Sequence, residues 1–275
     1  MKKRSFLESF AAVPHTVWAI LFILAPLLFV AYFAFTDAYG QFTFDNITML
    51  SSYTHIFVLS ICFALIATAI CLLIGYPLAF FISQLKPSTQ KIMIVLIMLP
   101  MWISLLIRTY SLMAILDNGG LLNSLLSALG LPKVKIVGTS GAVILGMVYD
   151  FLPYMVLPIY TSISKLDKRY LEAAQDLGCN SVRTLFKVVF PLSVPGVISG
   201  ITMVFVPSVS TFAISKMLGG GTEVLLGDLI EQQFLGGAYN PHLGAAISLV
   251  MMVIVVVCMV VMNRFGEGEE QAVML

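Results

Sequence analysis

An all-α membrane protein with six transmembrane helices is the fold class this chain predicts, and two observations carry that reading. The first is composition: 59% of the 275 residues are hydrophobic and 11% are charged, whereas a soluble domain is roughly 45–50% apolar and about 25% charged. The second is distribution. The apolar residues gather at 17–35, 57–85, 92–116, 140–162, 194–214 and 243–262, each long enough for the roughly 20 residues a helix needs to cross a bilayer. A β-barrel would show short alternating segments instead.

Taken in order, residues 1–13 form a polar lead-in, 14–263 the transmembrane domain and 264–275 a tail. Lys2, Lys3 and Arg4 ahead of an apolar run also have the form of a signal peptide. The run here is about 19 residues long and five further spans follow, which favours a retained first helix. The second and third stretches exceed one bilayer thickness, so they are expected to tilt, kink or include an outer helical piece. Pro26, Pro77, Pro100, Pro153, Pro158, Pro195 and Pro207 fall within the spans. Each frees a carbonyl that lipid does not satisfy, so they mark either ordinary kinks or helices that bend around a hydrated pathway. Ser208, Ser210 and Thr211 stand ready to bond such carbonyls.

Orientation follows from lysine and arginine. Lys2, Lys3, Arg4, Lys86, Lys91, Lys165, Lys168, Arg169, Arg183, Lys187 and Arg264 lie on one side, against Arg108, Lys133, Lys135 and Lys216 on the other. Eleven against four of the 15 basic residues places both termini and the loop after span four on the cytoplasmic side of the membrane, with lipid as a constant partner. The outer loops 36–56, 117–139 and 215–242 hold Asp37, Asp45, Asp117, Glu223, Asp228 and Glu231, a balance suited to a cationic solute. Residues 121–129 read as a short amphipathic helix on that side. Cys62, Cys71, Cys179 and Cys258 show neither a disulfide framework nor metal-ligand spacing. No metal site is expected.

The segment 171–196 is the most informative. It is polar and charged, yet lodged between apolar spans. Asp167 is placed to cap a helix over 168–177, and Gly178 sits where a C′ residue turns left-handed. Ser181 can cap a second helix over 182–190, ending at Pro191 and Pro195. Ala173 and Ala174 allow close approach. Tyr170, Leu171, Leu177 and Phe186 supply apolar knobs, and Glu172, Asp176, Arg183 and Lys187 supply charge. The result is a docking wedge for a soluble partner. Tethering between two spans and mixed charge argue against a DNA-reading helix–turn–helix, and no nucleic acid is expected.

Glu172-Ala173-Ala174, then Gly178, Phe186, Val189 and Pro191, resembles the "EAA" loop of ABC importer permeases. Val189 and Phe190 stand where that family usually has isoleucine and leucine, and both keep the apolar character. Gly75-Tyr76-Pro77-Leu78-Ala79-Phe80, the run 104–110, Leu121-Leu122-Asn123, the run 152–160 and Lys165-Leu166-Asp167-Lys168 are similar to segments of the spermidine/putrescine (PotB-like) permeases. The resemblance implies a type I ABC importer (MetI-like) architecture with a cytoplasmic coupling helix in a loop at 164–193. It implies that Leu171, Glu172, Ala173, Ala174, Asp176, Leu177, Gly178 and Phe186 couple to an ATPase. It further implies a PotA-like ATPase dimer, a PotC-like second permease and a PotD-like polyamine-binding protein. ATP and Mg would sit on the ATPase; no cofactor binds this chain directly and it has no catalytic residue.

An ionisable residue inside a span is a functional candidate. Asp150, beside Tyr149, Phe151 and Tyr154, has neighbours suited to a polyammonium ion through ion pairing and cation–π contact, or it makes a helix–helix hydrogen bond to a Ser, Thr or Tyr. Trp102, Tyr110 and Asp117 are further pathway candidates. Arg108 either snorkels to the interface or pairs with an outer carboxylate such as Asp117. Two other classes compete. A secondary transporter would use Asp150 in proline-broken helices, but repeated halves are not evident. An intramembrane serine protease would use Ser140, in Gly138-Thr139-Ser140-Gly141, with His242; Ser140 is more simply a helix N-cap. The Walker pattern GxxxxGK[ST] does not occur in the sequence, so an ATP-driven reading requires a separate ATPase.

Overall fold

The computed structural model describes residues 6–176, 178–237 and 239–273, and these are mostly helical. Helix α1 (Phe6–Ala19), a π turn over Ile20–Leu24 and α2 (Ala25–Ala34) run on from one another. Helix α3 (Asp45–Thr48) and a 3-10 turn over Met49–Tyr53 lead directly into α4 (Thr54–Ser83). Then come α5 (Pro87–Met98), a 3-10 turn over Leu99–Trp102, α6 (Leu105–Leu116) and α7 (Leu121–Ala128). Helix α8 (Ser140–Ser164) is followed by α9 (Lys168–Asp176), α10 (Ser181–Thr184), a π turn over Leu185–Val189 and α11 (Phe190–Ser210). Helices α12 (Ala213–Leu218), α13 (Leu226–Leu235) and α14 (Pro241–Val273) complete the order.

Among the described residues, five helical runs are long and apolar enough to cross a membrane: Val13–Ala34, Asp45–Ser83, Ser140–Ser164, Leu185–Ser210 and Pro241–Met262. The pair Pro87–Trp102 and Leu105–Ala128, bent by 94°, supplies a sixth when taken as one span. The third stretch, 92–116, is therefore a broken span and not a continuous helix. Pro100 has no N–H and its ring opposes the carbonyl four residues back. The chain tightens into the 3-10 turn, Ile103 goes extended at φ −89°, ψ 140°, and α6 restarts in a new direction.

Two further expectations need correction. The helix foreseen over 182–190 runs on into the span foreseen over 194–214, and that span stops at Ser210, where Thr211 turns extended. The π turn closes the Phe190 N–H onto the Leu185 carbonyl, and this wider turn just before Pro191 absorbs the missing donor and the bulk of the ring. The loops expected on the outer side are also more ordered than their glycine content implies, since 36–56 contains α3 and 215–242 contains α13 and the end of α12.

The chain divides into two compact units, one within Met1–His55 and Leu229–Ile254, the other within Ile56–Asp228 and Val255–Leu275. In the first, Ala34, Ala245 and Ala246 form a small core with Val30, Ile47, Phe234 and Leu249 packed on it. Asn46 Nδ2 donates to the carbonyls of Ala34 (3.2 Å) and Thr36 (3.0 Å), which closes the α2–α3 connection. In the second, the core centres on α8, where Met147, Met155, Val156 and Ile159 are fully buried. Helix α11 lies against α8 through Gly196 and Gly200. A Cβ on Gly196 would stand 2.7 Å from the Pro158 carbonyl, and one on Gly200 would stand 2.8 Å from Met155 Sδ. The G-x-x-x-G spacing lets the two backbones approach, which is how helices gain packing energy in lipid, where apolar burial itself gives little.

Candidate coupling element and intramembrane polar site

The α8–α11 connection is built from local capping. Asp167 Oδ1 accepts from the Arg169 N–H at 3.0 Å, satisfying a donor that the first helical turn leaves open. At the other end the Cys179 N–H donates to the Ala174 carbonyl at 3.0 Å, and Gly178 holds φ at +80°. This is the Schellman closure, which needs a left-handed residue at C′. A Cβ on Gly178 would meet nothing within 4 Å, so glycine is required there for its backbone and not for space. Leu177 lies outside the described residues. The second helix is capped one residue earlier than expected: Asn180 Oδ1, not Ser181, accepts from the Arg183 N–H at 2.9 Å.

Tyr170 and Phe186 are 57% and 64% exposed. Glu172, Ala173, Asp176 and Gly178 are also exposed, while Ala174 is buried. Leu171 lies in α9. The element thus presents two aromatic side chains and the carboxylates of Glu172 and Asp176 outward, with Ala174 turned in. The Arg169–Asp167 ion pair at 3.8 Å is solvent-exposed and contributes little.

Just inside this wedge the helices are hooked together. The hydroxyls of Tyr76 and Ser193, both buried, are 2.9 Å apart, and the Tyr76 ring sits against Phe190 with centroids 5.3 Å apart. Gln90 Nε2 donates to the Ser83 and Leu85 carbonyls at 2.9 and 2.8 Å, and its Oε1 accepts from Tyr160 at 3.0 Å. Helix α4 is therefore fastened to α11, and the α4–α5 turn to α8. Sequence reasoning singled out Gly75-Tyr76-Pro77 without a role for Tyr76 and missed Ser193. The G-x-x-x-G at 196–200 was a readable signal for the helix pair.

Deeper in the span, Asp150 is fully buried. Thr109 Oγ1 donates to its Oδ2 at 2.9 Å. Arg108, 5% exposed, brings Nε to 3.4 Å from Oδ1 and donates from Nη1 to the Asp150 carbonyl at 3.2 Å. Of the two readings of Asp150, this is the helix–helix bond, with an ion pair added. Arg108 neither snorkels nor pairs with Asp117: the break at Ile103 leaves α6 starting beside α8, so Arg108 and Thr109 on its inner side are buried while Leu106 and Ile107 stay exposed. The sequence reading gave Arg108 no partner in α8; an arginine and an aspartate within consecutive spans is the signal that could have found the pair. Trp102 and Tyr110 are 75% and 58% exposed and Tyr149 is 46% exposed. Asp117 is exposed at the C-cap of α6, and Tyr154 is half-buried with its ring against Phe151. These side chains do not converge on Asp150.

Each residue of the protease reading has another partner within its own unit. Ser140 donates to Glu223 Oε1 at 3.0 Å, while His242 meets the Phe33 carbonyl through Nδ1 at 3.2 Å and packs edge-on against the Phe33 ring. The N-cap of α8 is Thr139, whose Oγ1 accepts from the Ala142 N–H at 3.2 Å, so Ser140 is the first helical residue.

Comparison with known proteins agrees with this architecture. Residues 4–268 match the family described as binding-protein-dependent transport system inner membrane component. The chain is 38% identical over 260 residues to the spermidine/putrescine transport system permease protein PotB of Haemophilus influenzae, covering 91% of each chain. It is 38% identical over 247 residues to the PotB of Escherichia coli K12, covering 86% of this chain and 90% of that one. A chain in the crystal structure of a bacterial ABC transporter involved in the import of the acidic polysaccharide alginate superposes with a TM-score of 0.78 at 20% identity, covering 96% of both. The chain belongs to the inner-membrane components of binding-protein-dependent transport systems, a multi-pass membrane family in which the PotB permeases are its relatives.

Proposed function

We propose that this chain is one of two permease subunits of an ATP-driven polyamine importer, with spermidine or putrescine as solute, and that α9 is the element on which a separate ATPase acts. The observation that carries the reading is the α8–α11 connection: α9, a short helix capped at both ends, presents Tyr170, Glu172 and Ala173 outward, and the π turn after α10 presents Phe186. A rigid element between two spans is what a soluble motor needs to push. The coupling group is then Leu171, Glu172, Ala173, Ala174, Asp176, Leu177, Gly178 and Phe186, within the loop 164–193.

The motor is a PotA-like ATPase dimer carrying ATP and Mg. The second half of the pathway is a PotC-like permease, and a PotD-like binding protein delivers the solute. Polyamine is favoured by the PotB relatives at 38% identity and by the acidic outer loops. The fold does not choose the solute, since a chain of this fold serves a transporter of an acidic polysaccharide; the charge of the lining must choose it. Trp102, Tyr110 and Tyr149 offer aromatic faces to a polyammonium ion, with Asp117 and Tyr154 as polar contacts. Asp150 is engaged elsewhere. The lysine and arginine balance puts α9 and both termini in the cytoplasm, and labelling of a Tyr170→Cys variant by an impermeant maleimide only from that side checks it.

As a mechanism, ATP binding closes the two cytoplasmic subunits and displaces α9. Gly178 fixes the angle of that lever. Helices α8 and α11 move together because Gly196 and Gly200 lock them face to face, and Tyr76–Ser193 carries α4 with them. The pathway then alternates between outward and inward access. The test is co-purification of ATPase activity with wild type and with Glu172→Ala/Gly178→Val, followed by spermidine uptake into proteoliposomes with the binding protein present. Activity that follows wild type and leaves the double variant supports the reading. A stable wild-type chain that recruits no ATPase overturns it.

A further inference from the structure

We infer that Arg108, Thr109 and Asp150 form a charge-compensated latch that ties the second half of the broken span to α8, so that displacement of the α8–α11 hairpin reaches α6. The inference rests on the permease reading above and goes beyond it by giving Asp150 a positioning role in place of a solute contact.

Three features of the geometry support it. First, consecutive residues of α6 grip one residue of α8: Thr109 Oγ1 bonds Oδ2 at 2.9 Å, Arg108 Nε faces Oδ1 at 3.4 Å, and Arg108 Nη1 bonds the Asp150 carbonyl at 3.2 Å. Second, the grip falls in the first turn of α6, directly after the 94° bend. A half-span with a break behind it follows its neighbour only if something fastens it there. Third, all three side chains are buried, at 5%, 0% and 0% exposure for Arg108, Thr109 and Asp150. A carboxylate so enclosed does not meet a solute in this conformation, and a guanidinium so enclosed needs a counter-charge. Without Asp150, Arg108 would be a fixed positive charge inside a transporter proposed to pass polycations.

An uncompensated buried charge is worse than an apolar pair of similar volume, so a double-substitution cycle reads the latch. The complete transporter is reconstituted with wild type, Asp150→Leu, Arg108→Leu and the double variant, with Asp150→Asn as a milder single. Three quantities are measured: complex yield after heating, spermidine uptake against concentration, and ATP hydrolysed per spermidine imported. Each single is expected to cut maximal uptake at least about tenfold with KM unchanged, while hydrolysis continues and the ATP-to-spermidine ratio rises. The double variant is expected to return uptake and the ratio to within about threefold of wild type. A pair that only held the fold would lower hydrolysis and uptake together and leave the ratio unchanged, which would overturn the coupling role. A raised KM for Asp150→Asn, with Arg108→Leu normal and the double no better, would return Asp150 to the solute pathway. If the singles fail to assemble, assembly of the double supports the pairing and its failure counts against it. If wild type imports no spermidine, the polyamine reading falls, and the heat-stability cycle still decides whether the two residues act as a pair.

Discussion

The fourth span, Ser140–Ser164, has a mean hydropathy of 1.8 with 56% of its membrane window buried in the chain; the first, Val13–Ala34, reaches 2.5 with 6% buried. The better packed helix is the less apolar one. In water the opposite would be expected, because burial there rewards hydrophobicity. In lipid, apolar surface gains little by leaving the bilayer, and helices associate through small residues and inter-helix hydrogen bonds. Accordingly the fourth span carries Gly146, which faces Leu218 and Ile214, the Pro158 and Ser162 positions that receive Gly196, and Asp150 with its two partners. The first span carries Leu21, Phe22, Leu28 and Phe29, all more than half exposed. Asp45–Ser83 shows that the ordering is not strict: it combines 2.9 with 39% buried, because Gly75, Tyr76 and Cys71 on one face pack into the core while the other face stays apolar.

Substitutions can break or sharpen this contrast. The largest effect is expected from Asp150→Leu, which strands Arg108 in the fourth span's core and should destabilise the chain by about 3–5 kcal/mol, as removal of one partner of a buried ion pair does. Thermal unfolding in detergent measures it, and a loss below about 1 kcal/mol would mean that the pair is not sequestered. Next, Gly196→Leu forces a side chain into the Pro158 carbonyl and Ser162 and should cost about 3 kcal/mol by overpacking. The same unfolding experiment reads it, and a neutral result would separate α8 from α11. Gly178→Val should cost about 1–2 kcal/mol through the left-handed backbone position alone, because no neighbour lies within reach of a Cβ. Gly178→Ala should share the direction, and uptake assays should register both more strongly than unfolding does. The smallest effect belongs to the first span: Phe22→Ala, at a position 65% exposed, should change the isolated chain's stability by no more than about 0.5 kcal/mol. A clear loss would show that the first span is packed after all.

Much of the working surface was legible in residue order because it is local. A cap needs only Asp167 two residues before Arg169, and a left-handed C′ position needs only glycine at 178, so α9 could be drawn from spacing. Asn180 was passed over for Ser181 because both are good caps and only the backbone path distinguishes them. The break in the third span was half visible: Pro100 announced a disturbance, but whether a proline kinks or breaks a helix depends on what receives the freed carbonyls. Tyr76–Ser193 and Arg108–Asp150 join residues 117 and 42 positions apart, a separation at which sequence periodicity is silent.

The sequence by itself determined the membrane class, the number of apolar stretches and the capped wedge between the fourth and fifth spans. Each rests on composition or on contacts within a turn of helix, and such contacts are the same in any fold. Only the tertiary structure decided which spans are packed, where the third one breaks and what Asp150 touches. Those depend on the approach of distant backbones, and in a bilayer hydropathy does not rank the faces that meet.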